Sequence, residues 1–189
     1  MTRLKKFVCM LCLLTGMAWL YVQPVQAQKK EIAAAKDLVK AGKNLDQVQQ
    51  NMEKLLLDSA NRANRKIWAV LYDAVRKQYE QGNEQLYLKQ KYDTAKLFSL
   101  TRQLFIIAEG IDSVENIPNR KGKVEIESRK GHAEYLNQIR PNLYNGGSWF
   151  VRKQNYDEAY RFFDKYISCA HIPLFEGYDY QQHDKYLPS

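Results

Sequence analysis

The stretch Tyr144–Tyr166, YNGGSWFVRKQNYDEAYRFFDKY, decides how the rest of the chain is read. Its second half places Tyr156, Ala159, Phe163 and Tyr166 on one face of a helix. Its first half follows the same period but carries Gly146 and Gly147 side by side. Each glycine costs roughly 1 kcal/mol in a helix interior relative to alanine. A helix accepts such a pair where the missing side chains let a neighbouring helix approach closely. The sequence therefore predicts that Phe162 or Phe163 covers this bare backbone.

The helical period extends through most of the chain. Leu45, Val48, Met52, Leu55 and Leu56 form one stripe, and Ile67, Leu71, Val75 and Tyr79 form the next. Leu97, Leu100, Leu104, Ile107 and Ile111 make a third. Six helices are predicted, over 30–41, 45–58, 62–90, 92–109, 129–153 and 156–170. A break is expected near Gly82 and a kink at Pro141, where proline removes an internal hydrogen bond. The alternating run KVEIE, Lys123–Glu127, is too short and isolated to make a sheet. One-faced helices with short turns form antiparallel hairpins. The segment 112–131 carries Pro118, Gly122 and Gly131 and reads as a long connection. It is locally basic through Arg120, Lys121, Lys123, Arg129 and Lys130. A solvated loop and a contact site for an acidic partner are both open readings.

The N-terminus has a different character. Arg3, Lys5 and Lys6 precede an apolar run, Phe7–Val22, and then the small-residue signature Val25-Gln26-Ala27. That order is the order of a secretory signal peptide, with cleavage expected after Ala27. The run is short for a membrane span, so no stable membrane insertion is expected once it is removed. The chain is read as 1–27 signal, 28–172 helical domain and 173–189 aromatic tail, in a protein exported to the periplasm or secreted. Of 29 basic residues, three lie in the signal, leaving 26 against 21 acidic residues, a net charge of +5. This modest charge is spread along the chain, whereas a nucleic-acid binder concentrates it. Cys169 alone remains after cleavage, so no internal disulfide is expected.

Three helix starts resemble one another: KNLDQV (Lys43–Val48), QKYDTA (Gln90–Ala95) and QNYDEA (Gln154–Ala159). Asn44 and Asn155 suit the N-cap, with Gln47 and Glu158 three residues on as capping-box partners. Asp46, Asp93 and Asp157 are placed in the first turn, where negative charge favours the helix dipole. In the middle copy Lys91 stands where the cap would be. The copies lie 47 residues apart from Val48 to Ala95, and 64 from Ala95 to Ala159. Self-similarity of this kind signals a helical-repeat array.

The stretch NLYNGGSWFVRKQNYDEAYRFFDKYI resembles a tetratricopeptide repeat (TPR). Leu143, Gly147, Phe150, Tyr156, Ala159 and Phe163 stand at the motif's packing positions, with Gly146 in place of its leucine. An earlier, weaker copy keeps Tyr79, Leu86, Tyr92 and Ala95, with Asn83 at the glycine position. The resemblance, to exported bacterial TPR proteins, implies an all-α fold of antiparallel helical hairpins stacked as a short solenoid. It implies a groove for a peptide or protein partner, lined by Tyr144, Asn145, Ser148 and Arg152 and, in the weaker copy, by Glu84, Tyr87 and Leu88. A truncated remnant of a longer protein is an alternative, and so is a helical cell-envelope enzyme. Self-association through the C-terminal repeat is a further expectation.

Nothing in the residues announces catalysis. Cys169-x-His171 has no second ligand pair at zinc spacing. No phosphate-cradling loop, HExxH or nucleophile elbow occurs. Glu80 and Glu84 lie one turn apart and read as a solvated helix face. No cofactor, metal or nucleic acid is expected.

Overall fold

The computed structural model describes residues 26–119, 121–184, 186 and 187. The expected signal peptide lies outside the described residues except for Gln26 and Ala27, which begin the first helix. The fold is all-α among the described residues. In chain order the helices are α1 (26–41), α2 (Leu45–Leu57), α3 (Arg65–Tyr87), α4 (Thr94–Glu115), α5 (Arg129–Ile139), α6 (Pro141–Arg152), α7 (Tyr156–Ser168) and the single turn α8 (Tyr180–His183). Short 3₁₀ turns lie at Ser59–Asn61, Cys169–His171 and Pro173–Tyr178.

The helices pair in sequence. α3 packs along α4 and α6 along α7, each pair antiparallel, and α2 packs on α3. Three connections, α1–α2, α3–α4 and α6–α7, turn in the same way. Each has a residue with positive φ: Gly42 at 67°, Lys89 at 58° and Gln154 at 58°. The next N–H then donates to a carbonyl five residues back. These bonds are Lys43 to Leu38 at 3.0 Å, Gln90 to Gln85 at 2.8 Å and Asn155 to Phe150 at 3.0 Å. This is the Schellman closure, which satisfies the helix's last carbonyls. Only Gly42 adopts the left-handed backbone without a Cβ penalty.

Side-chain bonds order the helices into two layers. Lys96 of α4 pairs with Asp46 of α2 at 2.8 Å, and Gln49 of α2 donates to Gln103 of α4 at 2.7 Å. On the other side of α4, Arg102 reaches Glu158 of α7 at 3.4 Å and Glu109 holds Lys165 of α7 at 2.9 Å. So α2, α4 and α7 lie side by side. In the second layer, Lys77 of α3 donates to the Lys40 carbonyl of α1 at 3.2 Å, and Asn142 of α6 donates to the Tyr79 hydroxyl of α3 at 2.9 Å. Met52, Ile67, Leu104, Phe105, Leu136, Leu143 and Phe162 fill the space between, each fully buried. Each such side chain is worth about 1.5–3 kcal/mol of transfer free energy.

The glycine pair behaves as its sequence demands. A Cβ on Gly146 would come within 2.8 Å of the Phe162 ring, and one on Gly147 within 2.6 Å of the Phe163 ring. Both rings lie on bare backbone. The same device recurs in α3, where a Cβ on Gly82 would meet the Tyr92 ring at 2.5 Å. The expected break at Gly82 is therefore absent, and α3 runs unbroken to Tyr87. At Pro141 the helix does divide, into α5 and α6.

Several local expectations need correction. α4 continues to Glu115 rather than ending near 109. KVEIE, as expected, forms no strand. Asn44 sits at φ 52° and its side chain makes no cap bond, whereas Asn155 caps α7 by accepting from the Glu158 N–H at 3.3 Å. Asp93 is not in a first turn. It is the cap of α4, accepting from the Ala95 and Lys96 N–H groups at 2.9 and 3.1 Å. The side chain of Glu158 is drawn to Arg161 at 2.9 Å and to Arg102, and that of Gln47 to Asn51 at 2.8 Å.

The connection 116–128 is tied to the helix it leaves. One oxygen of Glu115 accepts from the Glu127 N–H at 3.0 Å, the Ser128 N–H at 3.1 Å and the Ser128 hydroxyl at 2.9 Å. Arg129 grips both oxygens of Asp112, at 2.6 and 2.9 Å. These partners let two carboxylates be buried at the end of α4. No helix among the described residues is long and apolar enough to cross a membrane.

Candidate functional site

The Tyr79–Asn142 bond sets α3 beside α6. Over the next one to three turns of each helix, the expected groove residues come to the surface. Glu84, Tyr87 and Leu88 are exposed on α3, with Tyr87 86% accessible. On α6 Arg152 is exposed, Ser148 is half-buried, and the apolar Val151 is 42% accessible beside them. Asn145 is exposed and its amide donates to Asn142 at 3.4 Å. An exposed tyrosine, leucine and valine with a guanidinium and a carboxylate can hold an extended segment by apolar contact and polar pairing. Glu80 does not stand free as half of a carboxylate pair, because Arg76 holds it at 2.8 Å.

Tyr144, two turns back along α6 from Arg152, is covered. The Tyr186 ring lies flat on it, centroids 4.2 Å apart and planes 9° from parallel. Phe163 and Tyr166 meet Tyr144 at 5.6 and 5.7 Å. The tail thus covers one end of the expected groove.

The packing residues divide similarly. Leu143, Gly147, Phe150 and Ala159 are buried, and Phe163, Tyr92 and Ala95 are half-buried against the core. Tyr156 is not a packing residue. It is 65% exposed, in line with Tyr160 at 70% and Ile167 at 49%, an apolar stripe along the outer side of α7.

A second cluster escaped the sequence reading. Arg140, at the junction of α5 and α6, is only 4% exposed. Its guanidinium is stacked between the Tyr166 and Tyr180 rings, 3.9 Å from each centroid. Nη2 donates to the Tyr166 carbonyl at 3.0 Å, and Nη1 pairs with the Asp184 carboxylate. The Tyr166 hydroxyl donates to the same carboxylate oxygen at 2.6 Å. Burial alone would raise the Asp184 pKa, but these bonds and the Tyr186 N–H outweigh it and hold the carboxyl down to about 2. Burial, with Asp184 as acceptor, pushes the Tyr166 hydroxyl up to about 12. The sequence did carry a signal for Arg140: it continues the buried stripe Ala133, Leu136, Leu143 at helical spacing.

Cys169 is buried beneath this cluster and its thiol is pushed up to about 12, chiefly by burial and further by Glu109. His171 is exposed and bonds Gln181 at 2.7 Å. Among the described residues no three His, Cys, Asp or Glu side chains gather as a metal site. His132 stacks on Tyr72 with centroids 4.1 Å apart, and burial lowers its pKa.

Comparison with protein-family models, with curated proteins and with solved structures finds no match to this chain.

Proposed function

We propose that this chain is an exported interaction module of the tetratricopeptide-repeat kind, which holds a peptide or protein segment along the α3–α6 face. The observation that carries the reading is one turn closure repeated between α1 and α2, α3 and α4, and α6 and α7, with α3 and α6 ending in exposed apolar and charged side chains. Repeat arrays present their first helices on a shared concave surface, and such surfaces bind extended partners. Tyr87, Leu88 and Val151 supply apolar contact, and Glu84 and Arg152 fix polarity and register. Tyrosine and arginine are enriched among residues that dominate interface energies.

The test is affinity capture from cell-envelope extract by the purified chain. One protein is enriched, and Tyr87→Ala with Arg152→Ala abolishes its capture while helicity by circular dichroism is unchanged. Capture that survives this double substitution removes the α3–α6 face as the binding surface.

A further inference from the structure

The segment after α8 fills a built site. Its receiving groups belong to the helices beneath it. Arg140 is fixed by rings on both faces and by the Tyr166 carbonyl, and Tyr180 is itself held by donating to Asn137 at 2.6 Å. Nη1 of Arg140 and the hydroxyl of Tyr166 both converge on one carboxylate oxygen. A cation this buried calls for an anion, because an uncompensated buried charge is strongly destabilising. Two residues past Asp184, Tyr186 stacks on Tyr144. The other Asp184 oxygen accepts from the Tyr186 and Leu187 N–H groups at 2.8 and 3.2 Å. That turn sets the distance from carboxylate to ring.

The occupant is held unevenly. The Asp184 side chain is 7% exposed but Tyr186 is 49% exposed. Beside them lies a cleft of about 320 Å³, lined in part by Asn137, Pro141, Asn145 and His183. Tyr144 shares α6 with Ser148 and Arg152, so this site continues into the α3–α6 face.

We propose that the Arg140–Tyr144 site recognises a protein segment carrying an aspartate two residues ahead of an aromatic residue. The chain's own Asp184 and Tyr186 fill the site until such a segment displaces them. The inference rests on the interaction-module reading and assigns a motif to one end of its groove. A tethered occupant competes at an effective concentration in the millimolar range, which weakens any external segment.

The experiment uses the full chain and a fluorescein-labelled peptide QHDKYL, the sequence of residues 182–187. By anisotropy, the Asp184→Asn, Tyr186→Ala chain binds this peptide at least about 10-fold more tightly than the native chain, since the tethered competitor is gone. The same peptide with asparagine for aspartate does not bind. No binding by a variant of native helicity overturns the proposal. So does a variant that has lost its helicity, because the segment is then part of the core. Failure here, with capture through Tyr87 and Arg152 intact, rejects the motif and leaves the groove. Peptide binding as expected, with capture that survives Tyr87→Ala and Arg152→Ala, does the reverse.

Discussion

The α3–α4 hairpin pairs helices of 23 and 22 residues, and the α6–α7 hairpin pairs helices of 12 and 13. Both use glycine to bring a ring onto bare backbone, but they place it differently. In the long hairpin the close approaches stand near the two ends, Gly82 under Tyr92 and Gly110 under Trp68. Between them Leu71, Val75, Leu100 and Leu104 fill the interface with ordinary side chains. In the short hairpin Gly146 and Gly147 are adjacent and near the middle of α6. Phe162, over Gly146, is fully buried and also meets Phe98 and Phe150, at 6.4 and 5.3 Å. A long interface spreads its contacts, whereas a short one concentrates them, and over Gly146 the covering ring is fully buried.

That contrast orders the expected effects. Gly146→Leu drives a side chain into a ring that cannot move, and stability falls by about 3 kcal/mol. Gly82→Leu falls by only about 1 kcal/mol, because the half-buried Tyr92 can swing outward. Urea unfolding followed by circular dichroism compares the two, and equal losses would erase the distinction between the hairpins.

A smaller effect separates the hairpins by acid, since only the α6–α7 hairpin carries the tail. An unfolded aspartate titrates near about 3.9, and Asp184 is held down to about 2. Its contribution is therefore complete above about pH 4 and is lost as pH falls through about 2. The near-ultraviolet tyrosine signal is expected to change across that window while far-ultraviolet helicity from the long hairpin persists. A near-ultraviolet signal flat down to pH 2 contradicts this.

The smallest effect has the opposite sign. Gly131, in α5, has nothing within 4 Å of a built Cβ. Gly131→Ala gains about 0.5–1 kcal/mol from helix propensity alone. A rise in Tm for this substitution, beside a fall for Gly146→Leu, distinguishes a glycine required by packing from one that is not.

The helical period makes the all-α fold legible, and the cost of Gly146 and Gly147 points to the rings of α7. The caps were less legible. Two of the three similar starts begin at the equivalent residue, Leu45 and Tyr156, although Asn44 turns left-handed and makes no cap bond, and the third begins two positions later, at Thr94, because Asp93 takes the cap that Lys91 could not. The end of α4 was misread because Gly110, Asp112 and Glu115 resemble loop composition. The burial of Asp112 and Glu115 depends on Arg129 and the Glu127–Ser128 backbone, which lie 12 to 17 residues away. At the tail, Arg140 and Asp184 are 44 residues apart, and no periodicity links them. Local pattern records which face is apolar. It does not record which distant charge completes a buried pair.

The knot that Glu115 and Asp112 tie around residues 116–128 has a consequence for the chain's tolerance of change. Both ends of the excursion are fastened to the last turn of α4, so its length is not transmitted to the helices on either side. Closing a longer excursion costs little, only about 0.6 kcal/mol for each doubling. The exposed strip around Val124 and Ile126 is thus a natural socket, where an epitope or a small reporter domain can be spliced in without altering the spacing of the helices it hangs from.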